Sequence, residues 1–509
     1  MKEWPLIKLS DLILSLESGS RPKGGVDKYE AGLPSIGAEH LGTNGDFNFL
    51  NIKYIPDNHY RIMKSGIVQQ KDVLIVKDGA TTGKTSYVGV SFPFKQAAVN
   101  EHVFIVRVNE YLAVPSFVFY FLFSDIGRRL IMKDFRGATI GGISRHFVDY
   151  IEIPCAPITQ QKRIVAKIEE LFSRIDAGVA ALERVKANLK RFRASVLKDA
   201  VEGKLTEEWR KKYPPKEPAS KLLERILSER RSKWEKEQLA KYKAKGQKPP
   251  SEWRDKYKEP INLDIANLPE LPEGWSWASF DQLIERSEYG TSVKCDYSAN
   301  YAPIIRIPNI VGGYLDLSDM KYSTKPLSFN DEGGLMRGDL LMCRTNGSKN
   351  LIGKVALIRH EITPSHGFAS YLLRFRFVDS ELLPLWVYHY LSSTRGRHFI
   401  ETHAASSAGQ HNISLSLIHT MPLPLPPTNE QRQIINDIEQ SESVIPVLLK
   451  LLVEGNKRSN NLHQSILKQA FEGKLVPRDP NDEPTSLLLE RIQAERKVNK
   501  KKKPQPNER

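Results

Sequence analysis

The chain has 509 residues, 40% hydrophobic and 27% charged, with a formal charge of +15 and a pI near 9.4. That length outgrows a single hydrophobic core, so two or more domains are expected, and the apolar content excludes a disordered chain. No run nears the roughly 20 apolar residues that span a bilayer, the start lacks a signal-peptide core, and Cys155, Cys295 and Cys343 are too scattered for a disulfide framework or a zinc site; a protein of the reducing cytoplasm, away from membranes, is expected.

From the N-terminus, short runs such as Val73 to Val76 and Val103 to Val106, bounded by Gly and Asp turn signals, predict strands, and Ser116 to Ile131 predicts a helix. Strands run together with a helix after them rather than in βαβ alternation, which points to an α+β domain over residues 1–155. A helical segment follows over 156–205. In it Ile164, Ile168, Leu171, Ile175, Gly178, Leu182, Val185, Leu189, Phe192 and Val196 advance by steps of four and three, the seam of a coiled coil. Residues 206–270 read as a basic helical linker. A second α+β domain is expected over 271–425, with strands at Leu340 to Met342 and Leu372 to Phe375 and a helix over Leu385 to Ile400. The segment 426–476 carries a poorer seam (Ile434, Ile438, Ser441, Ile445, Leu448, Leu452, Gly455, Ser459, Leu462, Ile466), interrupted by Pro446, and 477–509 is a basic tail.

The chain repeats itself at a period near 270 residues. Ala200-Val-Glu-Gly-Lys-Leu205 returns as Ala470-Phe-Glu-Gly-Lys-Leu475, and Glu217-Pro-Ala-Ser-Lys-Leu-Leu-Glu-Arg-Ile226 as Glu483-Pro-Thr-Ser-Leu-Leu-Leu-Glu-Arg-Ile492. Upstream, Trp4, Gly19, Pro34 and Val114-Pro115 correspond to Trp275, Gly290, Pro303 and Leu383-Pro384, with free variation between these anchors. A duplicated protein buries both seams most simply by pairing its two long helices antiparallel, with internal pseudo-two-fold symmetry. Two separate hairpins, each packed on its own domain, are the alternative.

Charge alone says little about a partner. Thr206 to Glu259 holds 17 Lys and Arg against 10 Asp and Glu, and Arg478 to Arg509 holds 9 against 6, so most of the excess lies on connecting segments. Loops in the two domains are more telling. Gly79-Ala-Thr-Thr-Gly-Lys-Thr85 has three residues between glycines where a phosphate-binding loop has four, and its counterpart ends Gly353-Lys354-Val355, which argues against ATP binding. Short donors and basic side chains in both loops suit DNA instead, holding phosphates and reading base edges. Lys77, Thr81, Thr82 and Lys84 are candidates in the first domain, and Arg344, Asn346, Ser348 and Lys349 in the second. Two further loops add Arg136 and Arg145, and Gln410, His411 and Asn412; a hairpin turn or a cap without ligand is the plain reading of any one of them. Glu202-Gly-Lys204 and Glu472-Gly-Lys474 match half of a nuclease signature but follow long helices, where a left-handed glycine is the ordinary ending. No nucleophile, metal-ligand spacing, methyltransferase motif or glycine-rich cofactor loop is present, and no bound cofactor is expected.

Two divergent domains opening on Trp4 and Trp275, each closed by Pro157-Ile-Thr-Gln-Gln-Lys-Arg-Ile164 or Pro427-Thr-Asn-Glu-Gln-Arg-Gln-Ile434 and a helix ending in Glu-Gly-Lys-Leu, resemble the specificity subunit of type I restriction-modification enzymes across nearly the whole chain. The resemblance implies two target-recognition domains, each reading half of a split double-stranded DNA site. It implies paired helices that set the spacing and dock two methyltransferase and two restriction-translocase subunits, in which S-adenosylmethionine, ATP and Mg belong. Candidate spacer and docking positions are Gln161, Ile164, Ile168, Leu171, Leu182 and Leu189, with Gln431, Ile434, Ile438, Leu448 and Leu462. About 35 helical residues would make a ruler of roughly 50 Å, or about 15 base pairs. The rival readings are a duplicated protein-binding scaffold and a stand-alone nuclease or ATPase.

Overall fold

The computed structural model describes residues 4–137, 141–327, 334–362, 365–407 and 409–502. The first domain is built on a four-stranded antiparallel sheet ordered β1 (Ile13–Ser18), β4 (Val103–Val108), β2 (Val73–Val76), β3 (Thr85–Tyr87). Val73 and Ile75 face one core with Phe104 and Val106, while Leu74 and Val76 face a second with Val103 and Ile105. Apolar residues on both faces explain why these strands read as continuous hydrophobic runs. Helix α1 (Pro115–Phe123) covers the first core and is buried nearly all round.

From Ile158 to Val201 the chain is one 44-residue helix, α2, longer than the expected 35. The linker then forms α3 (Ala219–Ala244). The second domain repeats the sheet as β5 (Ile284–Tyr289), β8 (Leu372–Phe377), β6 (Leu340–Cys343), β7 (Val355–Leu357), with α4 (Leu382–Ser392) over it. Its spacer segment is split into α5 (Thr428–Glu442) and α6 (Ile445–Phe471), the break falling where Pro446 in the first turn of α6 has no N–H to continue the ladder. The tail forms α7 (Thr485–Lys502).

The compact units do not follow sequence order. One contains the residues up to Glu183 together with those from Leu452 onward, and the other runs from Arg184 to Leu451. Each domain is therefore completed by the other half's helix. In the first unit Leu467, Ala470 and Phe471 of α6, and Leu488 and Ile492 of α7, join the core of the first domain. The second unit likewise takes Val196, Leu197, Ala200 and Val201 of α2, and Ala219, Leu222 and Ile226 of α3, into its core. Within each unit the helices run antiparallel: Phe172 meets His463 and Leu182 lies against Gly455 in one, and Arg193 meets Glu442 in the other. Helix pairing across the halves holds, and the linker and tail, expected as separate segments, are docked arms.

Both long helices end alike. Gly203 (φ +70°) and Gly473 (φ +71°) take the left-handed conformation, with Lys204 N–H donating to Asp199 O and Lys474 N–H to Gln469 O, each at 2.8 Å. This is a Schellman ending. Glu202 and Glu472 merely pair with Lys204 and Lys474. A Cβ on Gly473 would come within 3.6 Å of Trp4 and one on Gly203 within 3.2 Å of Trp275, so each opening tryptophan packs on the other half's turn.

Several spacer positions need correcting. Gln161 and Gln431 are buried, and Gln161 donates to Ala156 O (2.8 Å) and accepts from Val114 N (2.8 Å) while Gln431 donates to Pro426 O (2.7 Å). Gln161 ties the first domain to its helix through Val114, each glutamine closes its helix start onto the preceding carbonyl, and both are buried away from another subunit. Ile164, Ile168, Ile434 and Ile438 are buried in the domain cores, and Leu171, Leu182, Leu189 and Leu448 are half-buried. Leu462 leaves the seam and is 52% exposed, because the buried face advances by fours from Gly455 through Ser459 and His463 to Leu467. Phe192 is also 47% exposed.

Candidate nucleic-acid interface

A hairpin, not a phosphate cradle, carries the glycine-rich loop of the first domain. It joins β2 to the antiparallel β3 with no helix after it, Thr82 is buried and donates to Gly79 O (2.7 Å), and the Lys84 ammonium donates to Leu41 O (2.9 Å). Those bonds hold the turn, so Thr82 and Lys84 drop out as free contacts while Thr81 stays exposed. The second domain has the same turn, lengthened: Gly83 N–H donates to Val76 O and Gly353 N–H to Cys343 O, both at 2.8 Å.

Against this turn each domain folds its second loop. Ile143 N–H donates to Lys77 O at 2.8 Å, and Ile413 N–H donates to Arg344 O at 2.9 Å. Asp78 and Arg136 each bridge Gly142. In the second domain the same arrangement is a three-stranded sheet of Thr345–Asn346, Gln410–Asn412 and Ala405–Ser407, with Thr345 opposite Asn412 and Asn346 opposite His411. Both halves thus build one polar platform in one register. Residues 138–140 and 408 of these loops lie outside the described residues.

The side chains on the two platforms differ. On the first, Lys77 and Arg145 lie over the Phe104 ring at 5.8 and 6.0 Å; Lys77 donates to Glu101 O (3.0 Å) and Arg145 to Leu16 O. His102 bonds Asp78 through Nδ1 and faces Glu101 through Nε2 at 3.3 Å, and Arg21 lies 3.3 Å from Glu101. Arg136 is exposed, 3.4 Å from Asp134. On the second, Arg344 stacks on Tyr289 at 4.7 Å and donates through Nε to Asn412 (3.3 Å), leaving both Nη groups unpartnered among the described residues. Asn346 accepts from Ser348 N (2.8 Å), Ser348, Lys349 and Gln410 are exposed, and His411 is half-buried. The structure therefore brings Arg344, Asn346, His411 and Asn412 together, with Ser348 and Lys349 on the adjoining turn.

Sequence reasoning missed Asp78, Glu101, Arg21 and Tyr289, although each sits within three residues of a repeat anchor or strand end. It also missed a shared scaffold beneath: Arg107 grips Asp72 through Nε (2.9 Å) and Nη2 (2.8 Å), as Arg376 grips Asp339 (both 2.8 Å). These bidentate pairs fix the sheet that carries each platform. Burial pushes the thiol of Cys343 up to about 11 and raises those of Cys155 and Cys295, so all three stay protonated at neutral pH.

A duplicated α+β recognition protein, two equivalent platforms with unlike side chains, is the class this geometry defines. A family model described as "Type I restriction modification DNA specificity domain" matches residues 1–186. The chain is 28% identical over 483 residues to the type I restriction enzyme EcoKI specificity subunit of Escherichia coli strain K12, covering 92% of this chain and 90% of that one. It is 24% identical over 484 residues to the StySPI specificity subunit of Salmonella potsdam, again covering 92% and 90%. A chain solved in work on complex assembly and conformational transition of the type I R-M system shares the fold, with a TM-score of 0.58 at 17% identity over 93% of this chain and 99% of that one. Over nearly its whole length the chain is thus similar to specificity subunits of type I restriction-modification enzymes. Among the described residues no helix is long and apolar enough to cross a membrane.

Proposed function

We propose that the chain reads an asymmetric, bipartite double-stranded DNA target and directs methyltransferase and restriction subunits to it without catalysing a step itself. The observation that carries this is the pair of platforms: one backbone register built twice, Ile143 on Lys77 and Ile413 on Arg344, bearing different polar side chains. One docking geometry with two side-chain sets reads two different half-sites, because phosphate contacts position a protein while base-edge contacts specify. Two methyltransferase and two restriction subunits match the internal repeat. S-adenosylmethionine, ATP and Mg are assigned to those partners; against ATP in this chain, the first domain's glycine-rich loop is closed by its own hydrogen bonds.

Arg344 is the strongest individual reader. Its guanidinium is held on Tyr289 and Asn412 with both Nη donors outward, the pose that pairs with guanine O6 and N7. In the assembled enzyme, Arg344→Ala should cost roughly 5- to 150-fold in discrimination at one base pair of the second half-site, measured as methylation of single-base variants; equal losses at every position would refute the assignment. The function itself is tested by methylome sequencing of a host with and without the chain. Loss of one bipartite motif is expected, and an unchanged methylome would favour a protein-binding scaffold.

A further inference from the structure

The linker is more than a tether. Between Lys241 and Lys258 there are seven Lys and Arg against two Asp and Glu. Such a run is ordinarily a solvated surface, and basic residues in the last turn of a helix also suit its dipole. Only Lys241 and Lys243 lie in that last turn, however, and the segment is folded onto the second domain.

Helix α3 lies along β5. Arg230 donates to Ile284 O (2.9 Å), Lys233 pairs with Glu285 (2.9 Å) and Glu237 with Arg286 (3.1 Å), while Lys241 lines a cavity of about 590 Å³ with Ser287 and Glu288. Eleven helical residues rise about 16 Å and four strand residues about 13 Å, so helix and strand advance together. Strand β5 ends at Tyr289, the ring beneath Arg344. The basic end of α3 is therefore carried towards the second platform. After α3 the chain turns back and is pinned there, Trp253 stacking on Trp234 at 5.8 Å and Tyr257 meeting the same indole at 5.3 Å, which sets Lys256 and Lys258 into the wall of that cavity.

The acids lining the cavity are spoken for, Glu237 by Arg286, Glu285 by Lys233 and Glu288 by Arg374 (2.7 Å), and the arm's own Glu252 and Asp255 leave it five positive charges in excess. Lys243, Lys245, Lys248, Lys256 and Lys258 are all exposed, and none makes an ion pair among the described residues. A rigid, uncompensated cluster beside a base-reading surface has one obvious counterpart, a row of phosphates.

Resting on the DNA-reading function above, we propose that this arm is a sequence-independent clamp on the duplex backbone beside the second half-site. It adds affinity through phosphate neutralisation and leaves base choice to the platform.

The test uses the complex of the full chain with its methyltransferase subunits, a duplex bearing the target motif and a scrambled duplex. Changing the five lysines to Gln should weaken both duplexes by the same factor, roughly tenfold, and lower the salt dependence by about 0.9 for each phosphate no longer neutralised. Ethylation interference should disappear only at phosphates beside the second half-site, and thermal melting should be unchanged because the five side chains are exposed. If wild type discriminates the duplexes while the variant keeps its affinity, salt slope and footprint, the clamp is wrong and the reading function stands. Loss of methyltransferase-subunit assembly with unchanged DNA affinity would overturn it in favour of a protein-docking role. Wild type that fails to discriminate would overturn the reading function and the clamp with it.

Discussion

Where each reading domain meets the spacer helices, the two units solve one packing problem with different chemistry. In the first unit the junction is aromatic: Tyr120 packs on Phe172 at 5.7 Å, Phe172 on His463 at 4.2 Å, and Phe471 sits between Phe117 and Phe121 at 5.1 Å from each. The equivalent positions in the second unit are His389 for Tyr120, Glu442 for Phe172, Arg193 for His463 and Val201 for Phe471. There Arg193 and Glu442 pair at 2.8 Å over a fully buried His389. The repeat keeps the helix pairing while apolar burial is exchanged for charge. What each junction tolerates should therefore differ.

The largest difference is expected at Phe471. Phe471→Ala leaves a cavity among aromatic rings and should cost about 3–5 kcal/mol, seen in calorimetry as a transition of the first unit moving alone. A loss below about 1 kcal/mol would show that the rings do not hold the junction.

Acid should act on the other side. Among the described residues His389 is buried with no hydrogen-bond partner on either ring nitrogen, and burial first, then the guanidinium groups of Arg359 and Arg193, push its pKa down to about 3. The folded state keeps it neutral while the unfolded chain protonates near 6.5. Its stability contribution is thus complete above about pH 6.5 and is lost as pH falls towards 3, at up to about 1.4 kcal/mol per pH unit. His40, His419 and His463 are lowered in the same direction by burial. Denaturant titrations from pH 7.5 to 5 should show stability falling, less steeply for His389→Phe. Identical slopes would place the titration elsewhere.

The smallest effect belongs to the ion pair. Arg193 and Glu442 are 41% and 23% exposed, so a double-mutant cycle with Arg193→Met and Glu442→Gln should return a coupling of about 1 kcal/mol or less, shrinking with salt. A coupling near that of a fully buried pair would mean that charge carries the second junction.

The sequence made the duplication, the α+β domains, the long helices and the break at Pro446 legible, because each leaves a local trace: a repeated string, a period or a missing donor. It did not reveal that the helix ends exchange domains, since Ala200 and Ala470 sit in the same string and a period cannot say which sheet a face meets. The slip that exposes Leu462 and buries Leu467 follows Gly455, against which Leu182 packs; a Cβ there would lie 2.8 Å from its Cδ1. On the platforms, the loops were found but their chemistry was not. Thr82 and Lys84 look free in sequence and are spent on backbone carbonyls, whereas Tyr289, silent in sequence, stacks beneath Arg344.

Two reading domains, each completed by the other half's helices, should act independently, and domain exchange is the test. Residues 1–150 are replaced by the matching segment of another specificity subunit, with α2, α6 and α7 left intact, and the methylated motif is sequenced from a host carrying the chimera. A bipartite motif changed in one half alone, with its spacing kept, is the predicted result. A motif changed in both halves would contradict the account.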